Sequence, residues 1–204
     1  MMTTITTIDA LTALYGAPGL ASTAKEADRL TPHYRRLIEA SPFVALATVG
    51  PDGLDCSPRG DAGAVVRVAD DSTLMLPDRR GNNRVDSLRN IVTDPRCALL
   101  FLIPGSGTTM RVNGRAVLSI DPDLLASFTV DGKMPRSVMI FTIEQIFFQC
   151  SRAVVRADLW NPEKHIDPAT LPTAGDILAD MTANTVGGAD YDRDWPERAK
   201  KSLW

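Results

Sequence analysis

The feature that most limits the fold of this chain is a series of short segments rich in β-branched and aromatic residues, each closed by a turn, with one helix inserted among them. Such segments are typical of strands. Short turns cannot carry the long crossovers that parallel strands need, so the pattern predicts antiparallel pairing. The expected architecture is mainly β with peripheral helices, an antiparallel sheet closing into a barrel. The predicted strands lie at 41–49, 54–60, 63–68, 72–77, 97–103, 108–120 and 137–150.

Helices are predicted on either side of the first strands. Thr31 followed by Pro32 is a favourable helix start, with a capping hydroxyl before a first-turn proline, and this helix is expected to run to Ala40. A second helix follows a basic turn at 79–84 and stops near Pro95. Its apolar residues recur at helical spacing and are Val85, Leu88, Ile91 and Val92.

Composition limits the class of protein. The 204 residues are 44% hydrophobic and 23% charged, which suits one substantial core with appended helices. A net charge of −3 argues against nucleic acid or a polybasic membrane surface as the main partner. No apolar run approaches the roughly 20 residues of a membrane span, and the first residues lack a signal-peptide pattern. The expected location is the cytoplasm.

The cysteines and histidines do not predict a metal or nucleophile site. Three widely spaced cysteines form neither a zinc motif nor an even disulfide framework. Cys97 and Cys150 are interpreted as structural. A reactive thiol needs a basic partner, but His33 lies in a predicted helix and His165 in a proline-rich loop, so a Cys/His enzyme is not expected.

The basic turn at 79–84, with sequence RRGNNR, indicates a site for an anion. It links a strand ending in Pro77 and Asp78 to the start of a helix. The first N–H groups of a helix have no partner within it and carry the positive end of its dipole, which favours a phosphate there. Turns of this kind also occur as plain solvated turns, and the surrounding motifs must decide between the two.

Four motifs in order resemble the pyridoxamine 5′-phosphate oxidase-related flavoproteins, in particular a subgroup described as FMN-dependent enzymes. They extend over roughly residues 41–162 and read CSPRGDAG, LPDRRGNNRVDSLRNIVTDPR, IPGSGTTMRVNGRA and FFQCSRAVVRADLW. The resemblance implies an FMN-binding split β-barrel over 41–162, preceded by a helical segment (1–40) and followed by an extension (163–204) that packs on the barrel or on a partner subunit. It also implies a homodimer with FMN in two clefts at the subunit interface.

The resemblance assigns cofactor-binding residues. Basic residues before and after the turn would hold the flavin phosphate, the strand end would pass the edge of the isoalloxazine ring, and a later strand would meet the flavin. The residues assigned to the phosphate are Arg59, Asn82, Asn83 and Arg84. Those assigned to the ring edge are Pro77 and Asp78, and those on the later strand are Thr109 and Arg111.

This chain departs from the oxidase itself at two places. A basic pair in the oxidase turn is reduced to Asn83 and Arg84, which Arg79 or Arg80 could compensate. The C-terminal arginine/histidine cluster that holds pyridoxine phosphate has no counterpart; RAVVRADLW offers Arg152, Arg156 and Trp160 instead. Oxidation of pyridoxamine phosphate is therefore not expected, whereas FMN binding is.

Several residues have two interpretations, one functional and one structural. Lys133, Arg156 and Trp160 are candidate contacts of a substrate or a second subunit, although Lys133 suits a solvated loop and Trp160 a packing role. Arg111 and Arg115 lie on the same strand, and an ordinary surface charge is the alternative interpretation for one of them. The functional hypotheses are an FMN-dependent oxidoreductase acting on a small molecule, a non-catalytic flavin-binding or sensing protein, and the same fold binding another cofactor such as haem or a deazaflavin.

Overall fold

A computed structural model describes residues 3–204, so the predicted segment 1–40 begins with two residues outside the described range. The strands are β1 (Phe43–Gly50), β2 (Gly53–Gly60), β3 (Arg67–Val68), β4 (Thr73–Pro77), β5 (Arg96–Leu102), β6 (Thr109–Ser119) and β7 (Val138–Gln149). The helices are α1 (Ile8–Tyr15), α2 (Leu20–Thr23), α3 (Pro32–Glu39), α4 (Asp86–Thr93), α5 (Pro122–Ala126), α6 (Arg152–Ala157), α7 (Ala174–Met181), α8 (Ala189–Arg193) and α9 (Trp195–Ser202). Single 3₁₀ turns occupy Pro162–Lys164 and Pro168–Thr170.

The strands form one seven-stranded sheet in the order β2-β1-β5-β6-β7-β4-β3. Each neighbouring pair is antiparallel, which confirms the predicted mainly-β, split-barrel class. The chain after β2 folds back onto the start of β1, where the N–H of Val65 donates to the carbonyl of Ser41 (2.9 Å). One predicted strand is shorter than expected: of 63–68, only Arg67–Val68 is strand, because the preceding residues make this return to β1.

The core lies on one face of the sheet. Alternate residues of β1, β5 and β6 are buried, as a strand with one covered face requires. The largest fully buried side chains include Leu46, Leu99, Phe101 and Phe141. Cys97 belongs to this core, and burial raises the pKa of its thiol to about 12, as suits an inert structural cysteine. Cys150, by contrast, is exposed just after β7.

A β-bulge interrupts the pairing of β6 with β7. Asn113 pairs with Gln145 but Gly114 pairs with Ile143, so Glu144 is the extra residue. A Cβ on Gly114 would lie 2.0 Å from the carbonyl oxygen of Thr142, so only glycine fits. The sequence NG in β6 therefore marks close packing between two strands.

Helices α3 and α4 lie where the sequence predicts them. Thr31 caps α3 by accepting from the N–H of Tyr34 (3.2 Å), and Ile38 is fully buried. In α4 the buried residues are Ser87 and Ile91, whereas Val92 is 75% exposed, so its predicted place on the apolar face is wrong. Ser87 takes the inward position because its hydroxyl is held by polar partners beneath the helix.

No helix within the described range is long and apolar enough to cross a membrane.

Candidate functional site

The main cavity lies where the end of β2 meets the end of β4, and it has a volume of about 620 Å³. The two strand ends are held together by an ion pair, Arg79 Nε to Asp61 Oδ2 at 2.8 Å. Next to it, the N–H of Asp78 donates to the carbonyl of Ser137 (2.9 Å), so the segment before β7 forms a further wall. A cavity of this size is in the usual range for cofactor and small-molecule sites.

Six of the eight predicted cofactor residues line this cavity: Arg59, Pro77, Asp78, Asn82, Asn83 and Arg84. The sheet order explains how they meet. Arg59 lies on edge strand β2 and Pro77 ends β4, strands separated by four others in the sheet, and only the curvature of the sheet brings them to one place. Arg80 and Arg136 also line the cavity, which gives it a strongly positive rim.

Arg59 is positioned by a polar cluster under helix α4. Its Nη2 donates to Ser87 Oγ (3.1 Å), and its Nη1 donates to its neighbour's carbonyl, that of Pro58 (2.8 Å). The Ser87 hydroxyl also contacts Ser57 Oγ (2.6 Å) and donates to Asp55 Oδ2 (2.5 Å). The hydrogen bond from Ser87 is the main cause that lowers the pKa of Asp55, which therefore stays ionised. The cluster holds the guanidinium at the cavity wall.

The turn itself adopts a constrained backbone. The N–H of Arg84 donates to Asn82 Oδ1 (3.0 Å), and Asn83 is left-handed with φ 62°. Val85 precedes α4 with φ 50°, a conformation rarely found for a β-branched residue. Strained backbone of this kind is concentrated at ligand sites. Val85 provides no side-chain hydrogen bond to the first turn of α4, so the helix start carries no side-chain cap.

Arg84 and Arg79 differ in how far they are available to a ligand. The Arg84 guanidinium pairs with Asp86 but is 80% exposed, so this pair is weak and can rearrange. Arg79 is 18% exposed and also donates from Nη1 to the carbonyl of Phe128 (2.8 Å). The structure therefore gives Arg79 a role in joining the strands, and Arg80 is the more accessible second cation.

Asp78 is the half-buried carboxyl group of the cavity. Burial raises its pKa above the ordinary value, and the positive charges of Arg59 and Arg136 oppose that shift. A carboxyl group with a raised pKa beside arginines can accept or donate a hydrogen bond to the polar edge of a ligand.

The other predicted residues lie away from the cavity in a single chain. Thr109 is buried at the start of β6, opposite Leu102 and Gln149. Arg111 is exposed, with its guanidinium 5.6 Å from the ring centre of Phe147. Arg156 is exposed on α6, and Trp160 donates from Nε1 to the carbonyl of Ser106 (2.7 Å), a packing role. Lys133 does not line the cavity either, although its Nζ lies 5.9 Å from the ring centre of Trp204, which does.

Four of the lining residues have no direct signal in the sequence. Met134, Arg136 and Ser137 follow a loop with no recognisable motif, and Trp204 is far beyond the motifs. Arg136 Nη1 donates to Asn83 Oδ1 (3.1 Å), so it supports the turn from a distant part of the chain.

Within residues 3–204, no cluster of three or more histidine, cysteine or acidic residues is arranged to hold a metal ion.

Comparison with known proteins defines the class to which this fold and site belong. Residues 30–150 match the family model described as pyridoxamine 5′-phosphate oxidase. The match covers more than half of the chain and includes β1 to β7, the basic turn and helix α4. The chain belongs to this family. A search of curated proteins gives no match.

The solved structures that this chain resembles do so at low sequence identity and with TM-scores below 0.5. HupZ of Group A Streptococcus is 20% identical, with a TM-score of 0.49, covering 60% of this chain and 95% of that one. A candidate pyridoxamine 5′-phosphate oxidase of Lactobacillus delbrueckii is 26% identical, with a TM-score of 0.48, covering 59% and 95%. An FMN-binding protein of Syntrophomonas wolfei is 16% identical, with a TM-score of 0.42, covering 56% and 86%. The family assignment rests on the family match alone.

Proposed function

We propose that this chain is a flavoprotein that binds FMN in the cavity between β2 and β4 and uses it to oxidise or reduce a small molecule. The observation that carries the proposal is the convergence of Arg59, Arg84 and the start of α4 on one cavity of about 620 Å³. Membership of the family supports a flavin or a related cofactor in this fold.

The residues present fit the phosphate of FMN. A phosphate monoester carries a charge of about −1.5 to −2 at neutral pH, and it needs cations together with oriented N–H donors. Arg59 offers a planar guanidinium held by Ser87, and the start of α4 offers backbone N–H groups. Arg84 leaves Asp86 at little cost because both groups face solvent.

The rest of the cavity suits a planar ring with a polar edge. Val65, Leu76 and Leu88 provide apolar surface, and Asp78 provides a carboxyl group. When bound, the flavin itself supplies the electron-transfer chemistry, and the chain's residues bind it, orient it and tune its charge. Neither His33 nor His165 lines the cavity, which favours a flavin over haem with a histidine ligand.

The proposal includes a homodimer. Thr109 and Arg111 lie outside the cavity of their own chain, on the strand that the family resemblance assigns to flavin contact. A second copy that places this strand against the cavity would reconcile the two facts. Arg111 is exposed and pairs across β6 and β7 with the partly buried Phe147, so this face of the sheet is accessible to a second copy. The oxidase's own substrate is not proposed, since its arginine/histidine cluster has no counterpart here.

The absorption spectrum of freshly purified protein tests the cofactor. Bound flavin gives a yellow protein, and apoprotein should take up added FMN. Colourless protein that takes up no FMN contradicts the proposal. Arg59→Ala should weaken FMN binding, whereas Arg29→Ala, which removes an exposed arginine that pairs with Asp28 and does not line the cavity, should not.

A second experiment separates an oxidoreductase from a flavin-binding module. The flavin of the purified holoprotein is reduced by light or dithionite, and its reoxidation is followed with nicotinamide, quinone and oxygen. Reoxidation by one of these faster than for free reduced FMN supports an enzyme. Failure with all of them favours a non-catalytic protein.

A further inference from the structure

Trp204 is placed at the cavity by a part of the chain outside the family match. It lines the same cavity as Arg59 and Arg84, and it is the one aromatic side chain among the described residues that do so. The matched region ends at residue 150, so this wall belongs to the C-terminal helices rather than to the common barrel.

A set of contacts among α7, α8 and α9 holds this region together. Asp192 of α8 accepts hydrogen bonds from the N–H of Gly175 (2.8 Å) and from Thr173 Oγ1 (2.5 Å) at the start of α7. Arg198 of α9 donates from Nη2 to the carbonyl of Tyr191 in α8 (2.7 Å) and lies 4.1 Å from the centre of its ring. The three helices are thus linked in series, and α9 leads to Trp204.

The end of α9 is anchored next to the tryptophan. Ala199 is buried, and the N–H of Leu203 donates to its carbonyl (2.8 Å). The indole of Trp204 is only partly buried. A half-covered aromatic ring facing a cavity leaves surface for a ligand to cover.

Lys133 supports the ring from the barrel side. Its Nζ lies 5.9 Å from the centre of the Trp204 ring, within the range of a weak cation–π contact. Lys133 follows a tight turn in which Asp131 and Gly132 are both left-handed (φ 50° and 73°), and it exchanges two backbone hydrogen bonds with Val130. The ammonium group is therefore presented from a well-defined turn.

We propose that Trp204 is a ligand-binding residue that stacks on the planar ring of the molecule in the cavity, with Lys133 holding the indole in place. This inference rests on the proposed function, in which that molecule is FMN. The arginine end of the cavity recognises the phosphate, and Trp204 recognises the ring. Aromatic stacking prefers an extended planar ring system, so this residue selects a flavin over a phosphorylated sugar of similar charge.

The test measures the affinity of the full chain, freed of cofactor, for FMN and for riboflavin, which has the same ring without the phosphate. Trp204→Ala should weaken the binding of both ligands by the same factor, roughly twofold to twelvefold, given that stacking contributes about 0.5 to 1.5 kcal/mol beyond area burial. Trp204→Phe should recover most of the loss. Arg59→Ala should weaken FMN and leave riboflavin unchanged.

Trp195→Ala is the matched control, because Trp195 begins the helix that leads to Trp204, is 55% exposed and does not line the cavity. Its affinities should equal those of the unmodified chain. Wild-type affinity for FMN in Trp204→Ala overturns the stacking role and leaves the proposed function standing. A loss confined to FMN also overturns it, since the ring is common to both ligands. If the unmodified chain binds neither flavin, the proposed function fails and the stacking role with it.

Discussion

The ion pair between Asp61 and Arg79 should hold the two edges of the cavity together. Its atoms are 2.8 Å apart, and the two side chains are only 19% and 18% exposed. Arg79 also donates to the carbonyl of Phe128 and Asp61 accepts from the N–H of Ala62, so each group has further partners that fix its position. The pair links the end of β2 to the end of β4.

Asp61→Asn keeps the size of the side chain and leaves the Arg79 charge without its carboxylate. Breaking a fully buried pair in this way costs about 3 to 5 kcal/mol. Because about a fifth of each side chain here is in contact with water, the expected loss in the free energy of unfolding is about 2 to 3 kcal/mol. For a chain of this length, a loss of 1 kcal/mol lowers Tm by about 2 to 4 °C, so Tm should fall by about 4 to 12 °C.

Thermal unfolding followed by circular dichroism measures this effect, and Glu144→Gln is its control. Glu144 pairs with Arg115 at a similar 2.9 Å, but the side chains are 53% and 54% exposed, so its loss should cost under about 1 kcal/mol. High salt should reduce the effect of the control and leave that of Asp61→Asn largely intact. Equal effects of the two substitutions, or strict additivity of Asp61→Asn with Arg79→Gln, would refute the role of the pair.

Two further predictions concern Asp78 and Gly114. The raised pKa of Asp78 means that the folded chain binds its proton more tightly than the unfolded chain, so stability falls as pH rises from below 3.8 through the folded pKa. Asp78→Asn should therefore raise Tm at about pH 7, with a gain that shrinks toward about pH 3; a gain independent of pH would show that ionisation is not the cause. Gly114→Ala places a Cβ 2.0 Å from the Thr142 carbonyl oxygen and should cost about 1 to 3 kcal/mol or more in chemical denaturation. Gly19→Ala, where a Cβ meets nothing within 4 Å, should stay within about 0.5 kcal/mol, and similar costs for the two would contradict the close packing of β6 on β7.

Local patterns in the sequence were enough to predict most of the fold. Period-two burial, turn residues and the Thr31-Pro32 helix start each depend on neighbours a few residues away, and these elements are confirmed. The prediction failed where a distant partner outweighed the local pattern. Residues 63–66 leave the strand path to meet Ser41, and Ser87 replaces Val92 on the inner side of α4 because Asp55 and Ser57 lie beneath it.

The sequence by itself determined the antiparallel class, the basic turn and the motifs that mark the family, since each is written in a continuous stretch of residues. Only the tertiary structure decided how neighbouring arginines are used. Arg79 and Arg80 are adjacent in sequence and both line the cavity, yet Arg79 is held by Asp61 whereas Arg80 is exposed. The structure also brought Arg136 to the turn and Trp204 to the cavity. These residues are more than 50 positions away from the turn in the sequence, so their placement depends on how the helices and the sheet pack, and no local pattern records that packing.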